Sequence, residues 1–266
     1  MDNKGRPWTV MASTSSGSPA PTPAWLTVFA SFTGNLFLVL GTTILSIVSI
    51  LVSWIPPRGN AVFVVARLWG SALLRASCLR VRVVKETELD PHSSYVFLSN
   101  HQSLFDIPVL LATAPCQVRM MAKRSLFRIP IFGWALASGG FIPIDRGDRS
   151  TARHSFASAL ARIRNGVSIL LFPEGTRSLT DVLLPFQRGG FLIAMKTGLP
   201  IVPVGIRGTR AVQRKGSWAI RPKPIEVRYG TPIDIGEYGV RRKKELIAEV
   251  RARIAELAGI EAGVEE

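Results

Sequence analysis

The sequence predicts an α/β domain, a mostly parallel sheet flanked by helices, behind an N-terminal membrane-embedded helical segment. Three observations lead there. Trp25 to Trp54 contains no charged residue. Beyond residue 79, short apolar runs alternate with helix-like stretches, the pattern of βαβ units. Several of those apolar runs end in polar, charged turns, where open α/β sheets place their ligands.

The chain has 266 residues, 47% of them hydrophobic, with a mean hydropathy of +0.25. That suits one compact domain with an appendage and excludes disorder along the whole chain. A formal net charge of +15 calls for anionic partners. With three Tyr and no face interleaving basic and aromatic residues, the composition argues against nucleic acid and for anionic membrane lipid. Cys78 and Cys116 form neither a CxxC pair nor a disulfide framework. They are expected to be small buried residues in a reducing compartment.

Residues 1–24, rich in Ser, Thr, Pro and Ala, read as a disordered tail, with Met11 a second plausible start. Residues 25–78 form the membrane-associated segment, apolar over 25–55 and amphipathic over 60–78. As one straight helix, Trp25 to Trp54 is about 45 Å long, against a hydrocarbon core about 30 Å thick. It therefore spans with a tilt or bends near Gly34 or Gly41. Trp25 and Trp54 suit the interfacial aromatic belt. Pro56, Pro57 and Arg58 follow instead of a small-residue cleavage site, which argues against a signal peptide. Arg67, Arg75 and Arg80 among apolar residues after Asn60 suggest an amphipathic helix capped by Asn60. That helix is either laid in the headgroup region or packed as an ordinary domain helix. Arg residues after the apolar run outnumber Lys4 and Arg6 before it, which places the bulk of the chain in the cytoplasm, on the inner cell membrane.

Residues 79–266 are the α/β domain. Strands are expected at Tyr95–Ser99, Phe141–Ile144, Ser168–Phe172, Ile201–Ile206 and Ile225–Tyr229. Helices are expected at Leu104–Thr113, Phe132–Ser138, Thr151–Arg164, Gly190–Lys196 and Arg241–Leu257. The last shows Leu246, Ile247, Val250, Ile254 and Leu257 at helical spacing, a face to be packed on the domain.

Four segments carry candidate chemistry. In SNHQSLFDIPVLL, Ser103 is placed to cap a helix, and the turn lets His101 fold back onto Asp106. A carboxylate on one imidazole nitrogen fixes the tautomer and leaves the other to act as a general base toward an alcohol. With no G-x-S-x-G elbow nearby, a substrate hydroxyl is a candidate for that alcohol. An H-x4-D pair alone also fits a surface histidine capping a helix. In ILLFPEGTRSLTD, Glu174, Gly175, Thr176 and Arg177 follow a strand. Gly175 permits close backbone approach and Arg177 has the fork geometry for phosphate. A salt-bridged loop would look the same. GGFIPIDRGD brings Asp145 and Arg146 to the end of a strand, with Arg146 a second phosphate ligand. LPIVPVGIRG is a buried strand, and MMAKRSL offers the compact charge of Lys123. His92 and His154 read as structural or exposed.

Together these segments resemble the glycerolipid acyltransferases, the 1-acyl-sn-glycerol-3-phosphate acyltransferase family. NHQSLFD, GGFIPIDR, FPEGTRS and IVPVGIRG are similar to its four motifs, and AKRSL to its lysine-containing segment. Order and spacing agree from about Leu79 to Tyr229. The resemblance implies a glycerolipid-acyltransferase-like fold and residues 79–266 as the catalytic domain. It makes His101 the general base and Asp106 the residue that orients it. Glu174 and Arg177 organise and bind the acceptor, and Arg146 and Lys123 bind its phosphate. It implies transfer of a fatty acyl group from acyl-CoA or acyl-carrier protein to the sn-2 hydroxyl of lysophosphatidic acid, giving phosphatidic acid, without an acyl-enzyme, cofactor or metal. Another lysophospholipid or a lyso-ornithine lipid is the alternative acceptor. A non-catalytic lipid-binding membrane protein would be expected to have lost the His101–Asp106 pair, and a hydrolase would need a separate nucleophile.

Overall fold

The computed structural model describes residues 22–55, 59–144, 157, 167–187, 189–238 and 242–263. Seven strands form one sheet: β1 (Val81–Lys85), β2 (Val96–Ser99), β3 (Val118–Lys123), β4 (Ile142–Ile144), β5 (Ser168–Leu171), β6 (Ile201–Arg207) and β7 (Ile225–Tyr229). Their order is β1-β7-β6-β2-β5-β3-β4. Every neighbouring pair is parallel except β6–β7, as expected for a mostly parallel sheet. β2, β3, β4, β5 and β6 therefore end on one edge, where the motif turns follow.

β1 and β3 are not among the expected strands. VRVVK continues the stretch read as amphipathic helix, and VRMMAK mixes basic residues with Met. In both, pairing decides. Val81 lies opposite Ile225 and Val118 opposite Ser168. Ser168–Phe172 stops at Leu171 and Ile201–Ile206 extends to Arg207, while Ile225–Tyr229 matches.

Among the described residues the α-helices are α1 (Ala24–Leu36), α2 (Thr42–Val52), α3 (Asn60–Ala76), α4 (Asp106–Thr113), α5 (Phe132–Ser138), α6 (Gly189–Thr197), the short α7 (Thr209–Val212) and α8 (Lys243–Ala258). Alternation along β2 splits the core in two. Phe97 packs with Phe63, Leu73 and Leu110 on the α3–α4 side. Val96 and Leu98 pack with Phe191, Leu246, Val250 and Ile254 on the α6–α8 side. The expected apolar face of the last helix is thus buried against the sheet. The expected helix Thr151–Arg164 lies outside the described residues.

α1 and α2 join through a π-helical turn, Phe37–Gly41, into a 29-residue apolar helix, Ala24–Val52, long enough to cross a membrane. The interruption coincides with Gly41, one of the two positions where a bend was expected. The amphipathic stretch resolves as a domain helix ending at Ala76. α3 packs on α4, and a Cβ on Gly70 would sit 2.6 Å from the Pro108 carbonyl oxygen. Gly59, not Asn60, is its N-cap, in left-handed backbone. Asn60 Oδ1 accepts instead from Arg119 Nη2 at 3.4 Å. α3 therefore packs as part of the globular unit. Cys116 is buried, but Cys78 only half so, and neither forms a disulfide.

Candidate active site

The site is built on the turn after β2. Asn100 carries the sheet pattern one residue further through its side chain. Its Nδ2 donates to the Ile206 carbonyl at 2.9 Å, and the Ile206 N–H donates to its Oδ1 at 2.7 Å. Asp106, the first residue of α4, then gathers the turn. Its Oδ2 accepts from the N–H of Gln102 at 2.7 Å and of Ser103 at 2.9 Å, and lies 2.7 Å from His101 Nδ1. A carboxylate at a helix N-terminus is favourably placed for the helix dipole. Ser103 does not cap α4 as expected; Phe105 is its N-cap. The Ser103 hydroxyl accepts the Phe105 N–H at 3.3 Å and donates to the Gln213 carbonyl.

With Asp106 accepting at Nδ1, the imidazole carries its proton there and Nε2 is left as the proton acceptor. The ring stacks on Phe172, with centroids 4.0 Å apart and planes 13° apart. The peptide of His101 is clamped from both sides by the turn after β5. Its N–H donates to Glu174 Oε1 at 2.7 Å, and its carbonyl accepts from the Ser178 N–H at 2.8 Å. Gly175 closes that turn in left-handed backbone, with φ +72°. A side chain there would be strained.

Glu174 thus stands behind His101 rather than in front of it. Its Oε2 accepts the Leu184 N–H at 2.9 Å, and it is 4% exposed. Burial pushes its carboxyl up to about 7, against the two amide donors, and Asp106's charge adds to the rise. Each Glu174 oxygen accepts a main-chain N–H, which braces the turn, and Glu174 is not among the residues that line the cavity around His101. Gly175 shapes the same brace.

His101, Lys123, Thr176 and Arg177 line one cavity of about 470 Å³, within the range of small-molecule sites. Lys123 ends β3 and Arg177 follows β5, so both stand on the same sheet edge as His101. Arg146 lies outside the described residues. Most of the remaining wall is apolar. α2 contributes Leu45, α3 Val62 and Trp69, β3 Met120, and α5 Phe132 and Leu136. Among the described residues no cluster of three or more His, Cys, Asp or Glu could hold a metal.

The motif reading gives no role to Phe172, Ser178 or Asn100. All three stand inside quoted motifs, yet a ring stack and main-chain bonds leave no spacing signal. Lys215, which also lines the cavity, stands outside every motif. Of the other histidines, His92 is exposed and His154 lies outside the described residues.

The fold and this site define the class: residues 80–207 match the family model described as Acyltransferase. Curated relatives are named 1-acyl-sn-glycerol-3-phosphate acyltransferase. The one from Cocos nucifera is 35% identical over 158 residues, 59% of this chain and 51% of its own length. The Saccharomyces cerevisiae relative is 32% identical over 212 residues, 76% of this chain and 70% of its own. The Salmonella typhimurium relative is 32% identical over 184 residues, 67% of this chain and 74% of its own. The chain spans about half the length of plant relatives such as that from Cocos nucifera. Among solved structures, the 1-acyl-sn-glycerophosphate (LPA) acyltransferase PlsC from Thermotoga maritima superposes with a TM-score of 0.71 at 26% identity, covering 88% of this chain and 94% of that one. The chain belongs to the 1-acyl-sn-glycerol-3-phosphate acyltransferase family.

Proposed function

We propose that this chain transfers a fatty acyl group from acyl-CoA or acyl-carrier protein to the sn-2 hydroxyl of 1-acyl-glycerol-3-phosphate, giving phosphatidic acid. The observation that carries this is the 2.7 Å His101–Asp106 contact in a cavity with cations among its lining and an apolar body. His101 Nε2 takes the hydroxyl proton as the oxygen attacks the thioester carbonyl. A C–O bond forms, the C–S bond breaks, and the proton passes from the imidazolium to the departing sulfur. Asp106 holds the tautomer and offsets the transient positive charge. Lys123 and Arg177 grip the phosphate through charge-assisted bonds, joined by Arg146. The apolar wall receives an acyl chain. The chain's own residues suffice for every proton in this scheme, and no cofactor or metal enters it.

The membrane helix supports this use. Trp25, Phe29, Phe32, Leu36, Leu40 and Ile44 form part of an exposed stripe. The opposite face touches the domain along its length. Thr33 donates to the Ala76 carbonyl, Trp69 Nε1 donates to Thr42 Oγ1 at 2.9 Å, and Ser46 and Ser49 are buried. A helix crossing the bilayer needs about 30 Å clear of any globular domain, and this one offers no such length on its inner face. We read it as lying along one leaflet, with the active site at headgroup depth. The Arg residues after the apolar run support the cytoplasmic leaflet, and the +15 charge holds the domain to anionic lipid.

The test is thiol release from acyl-CoA by purified protein in mixed micelles, with phosphatidic acid followed by mass. Release that depends on lysophosphatidic acid is expected. Absence of release with either donor, across lysolipid acceptors, would overturn the proposal.

A further inference from the structure

We propose that Lys215 binds the phosphate of the acceptor lipid, from a loop held between the membrane helix and the catalytic turn, and so contributes to selecting a phosphorylated acceptor. This rests on the acyl-transfer reading above and adds a residue to it. Lys215 lies beyond residues 80–207 that match the family model and beyond the four motifs.

Its placement comes first. Lys215 lines the same cavity as His101, Lys123, Thr176 and Arg177, and no Asp or Glu lines it among the described residues. Three cations there line the cavity with no carboxylate beside them among the described lining residues. The Lys215 ammonium has no hydrogen-bond or ion-pair partner among the described residues. A phosphomonoester dianion satisfies such a group through charge-assisted bonds.

The loop is also built rather than loose. Its base is closed by the Arg221 N–H donating to the Val212 carbonyl at 2.9 Å, and its tip by the Ser217 N–H donating to the Arg214 carbonyl at 3.1 Å. One side is tied to the catalytic turn, where the Ser103 hydroxyl donates to the Gln213 carbonyl at 3.0 Å. The other side is tied to α1. Asn35 Nδ2 donates to the Trp218 carbonyl at 2.8 Å, and the Ile220 N–H donates to Ser31 Oγ at 2.9 Å. The backbone at Lys215 is therefore ordered before a ligand arrives, which lowers the entropic cost of binding. Trp218, 71% exposed, borders α1 residues Val28, Phe32 and Leu36. That continuity with the exposed stripe sets the loop at headgroup depth, where a lysine stem lies along apolar surface and its charge reaches phosphate.

Phosphate also occurs in acyl-CoA, so the test separates acceptor from donor. Steady-state kinetics of the full chain in mixed micelles would be measured for wild type, Lys215→Gln and Lys215→Arg. Lys215→Gln should raise KM for lysophosphatidic acid roughly tenfold, the loss of one hydrogen bond to a charged group. The acyl-CoA KM should stay unchanged, and the preference for lysophosphatidic acid over monoacylglycerol should fall by the same factor. Lys215→Arg should recover most of the loss. An unchanged lysophosphatidic acid KM would overturn the assignment, as would a rise confined to acyl-CoA. Wild type lacking any acceptor-dependent release would sink the acyl-transfer reading instead, and Lys215 with it.

Discussion

At the residue scale, the active turn depends on two buried carboxylates with different duties. Asp106 places one oxygen against three nitrogens and leaves Oδ1 buried without a hydrogen bond among the described residues, so the turn hangs on a single atom. Glu174 works one layer back, spacing the β5 turn from the His101 peptide. Its carboxyl, pushed up to about 7 by burial, ties stability to pH. The folded form holds this proton more tightly than the unfolded chain does. Its contribution to stability is therefore full below the unfolded value of 4.5 and is lost as pH rises through about 7. Melting of wild type in detergent should show this decline, and Glu174→Gln should flatten it while lowering stability overall by about 1–3 kcal/mol, since an amide NH2 would face a main-chain N–H. Equal pH slopes in both proteins would contradict the assignment. The His101–Asp106 contact was legible in the sequence because H-x4-D sits in a polar turn between a strand and a helix. The bracing duty of Glu174 was not, because a carboxylate facing main-chain amides has the same sequence as one facing a ligand.

At the element scale, α2 is more than an anchor. Leu45, Ser46 and Ser49 form part of the cavity wall, opposite the helix face that carries Leu40, Ile44 and Leu51 into the surroundings. Small buried residues there leave room for an acyl chain. Ser49→Phe should shift the donor profile toward shorter acyl-CoA by several carbons while leaving turnover with short donors nearly intact. An unchanged chain-length profile would place the acyl chain elsewhere. Apolar length revealed this helix in the sequence, but not which face met the domain, since helix Ser and Thr hydroxyls can equally bond their own backbone carbonyls, as Thr43 does with Val39. The edge strand β1 was hidden for a different reason. β1 exposes Arg82, Val83 and Lys85, so its alternation is broken by solvent, and only pairing with β7 makes it a strand. The central strands β2 and β5 are buried throughout and read as continuous apolar runs, as parallel strands covered on both faces do.

At the scale of the whole molecule, membrane segment and catalytic layer form one functional body. From the sequence, residues 25–78 read as a separable appendage. In the fold, α3 supplies Phe63, Leu73 and Leu74 to the core, and α2 walls the cavity. Deleting residues 1–57 should therefore abolish transfer even in micelles, where no membrane needs to be found. A truncated protein with full micellar activity would restore the appendage view. Overall architecture was legible because parallel strands, crossover helices and motif turns repeat in register with chain order. The docking of α1 and of the Lys215 loop was not, because it rests on single hydrogen bonds between distant residues such as Asn35 and Trp218.

The proposed chemistry turns on His101 Nε2 removing the acceptor's proton so that the hydroxyl attacks the thioester directly. Single-turnover transfer by wild type and His101→Ala, with lysolipid binding measured in parallel, tests it most directly. His101→Ala should still bind lysophosphatidic acid but lose transfer by at least about 100-fold, the scale of general-base catalysis. A variant that binds and transfers at near wild-type rate would contradict it.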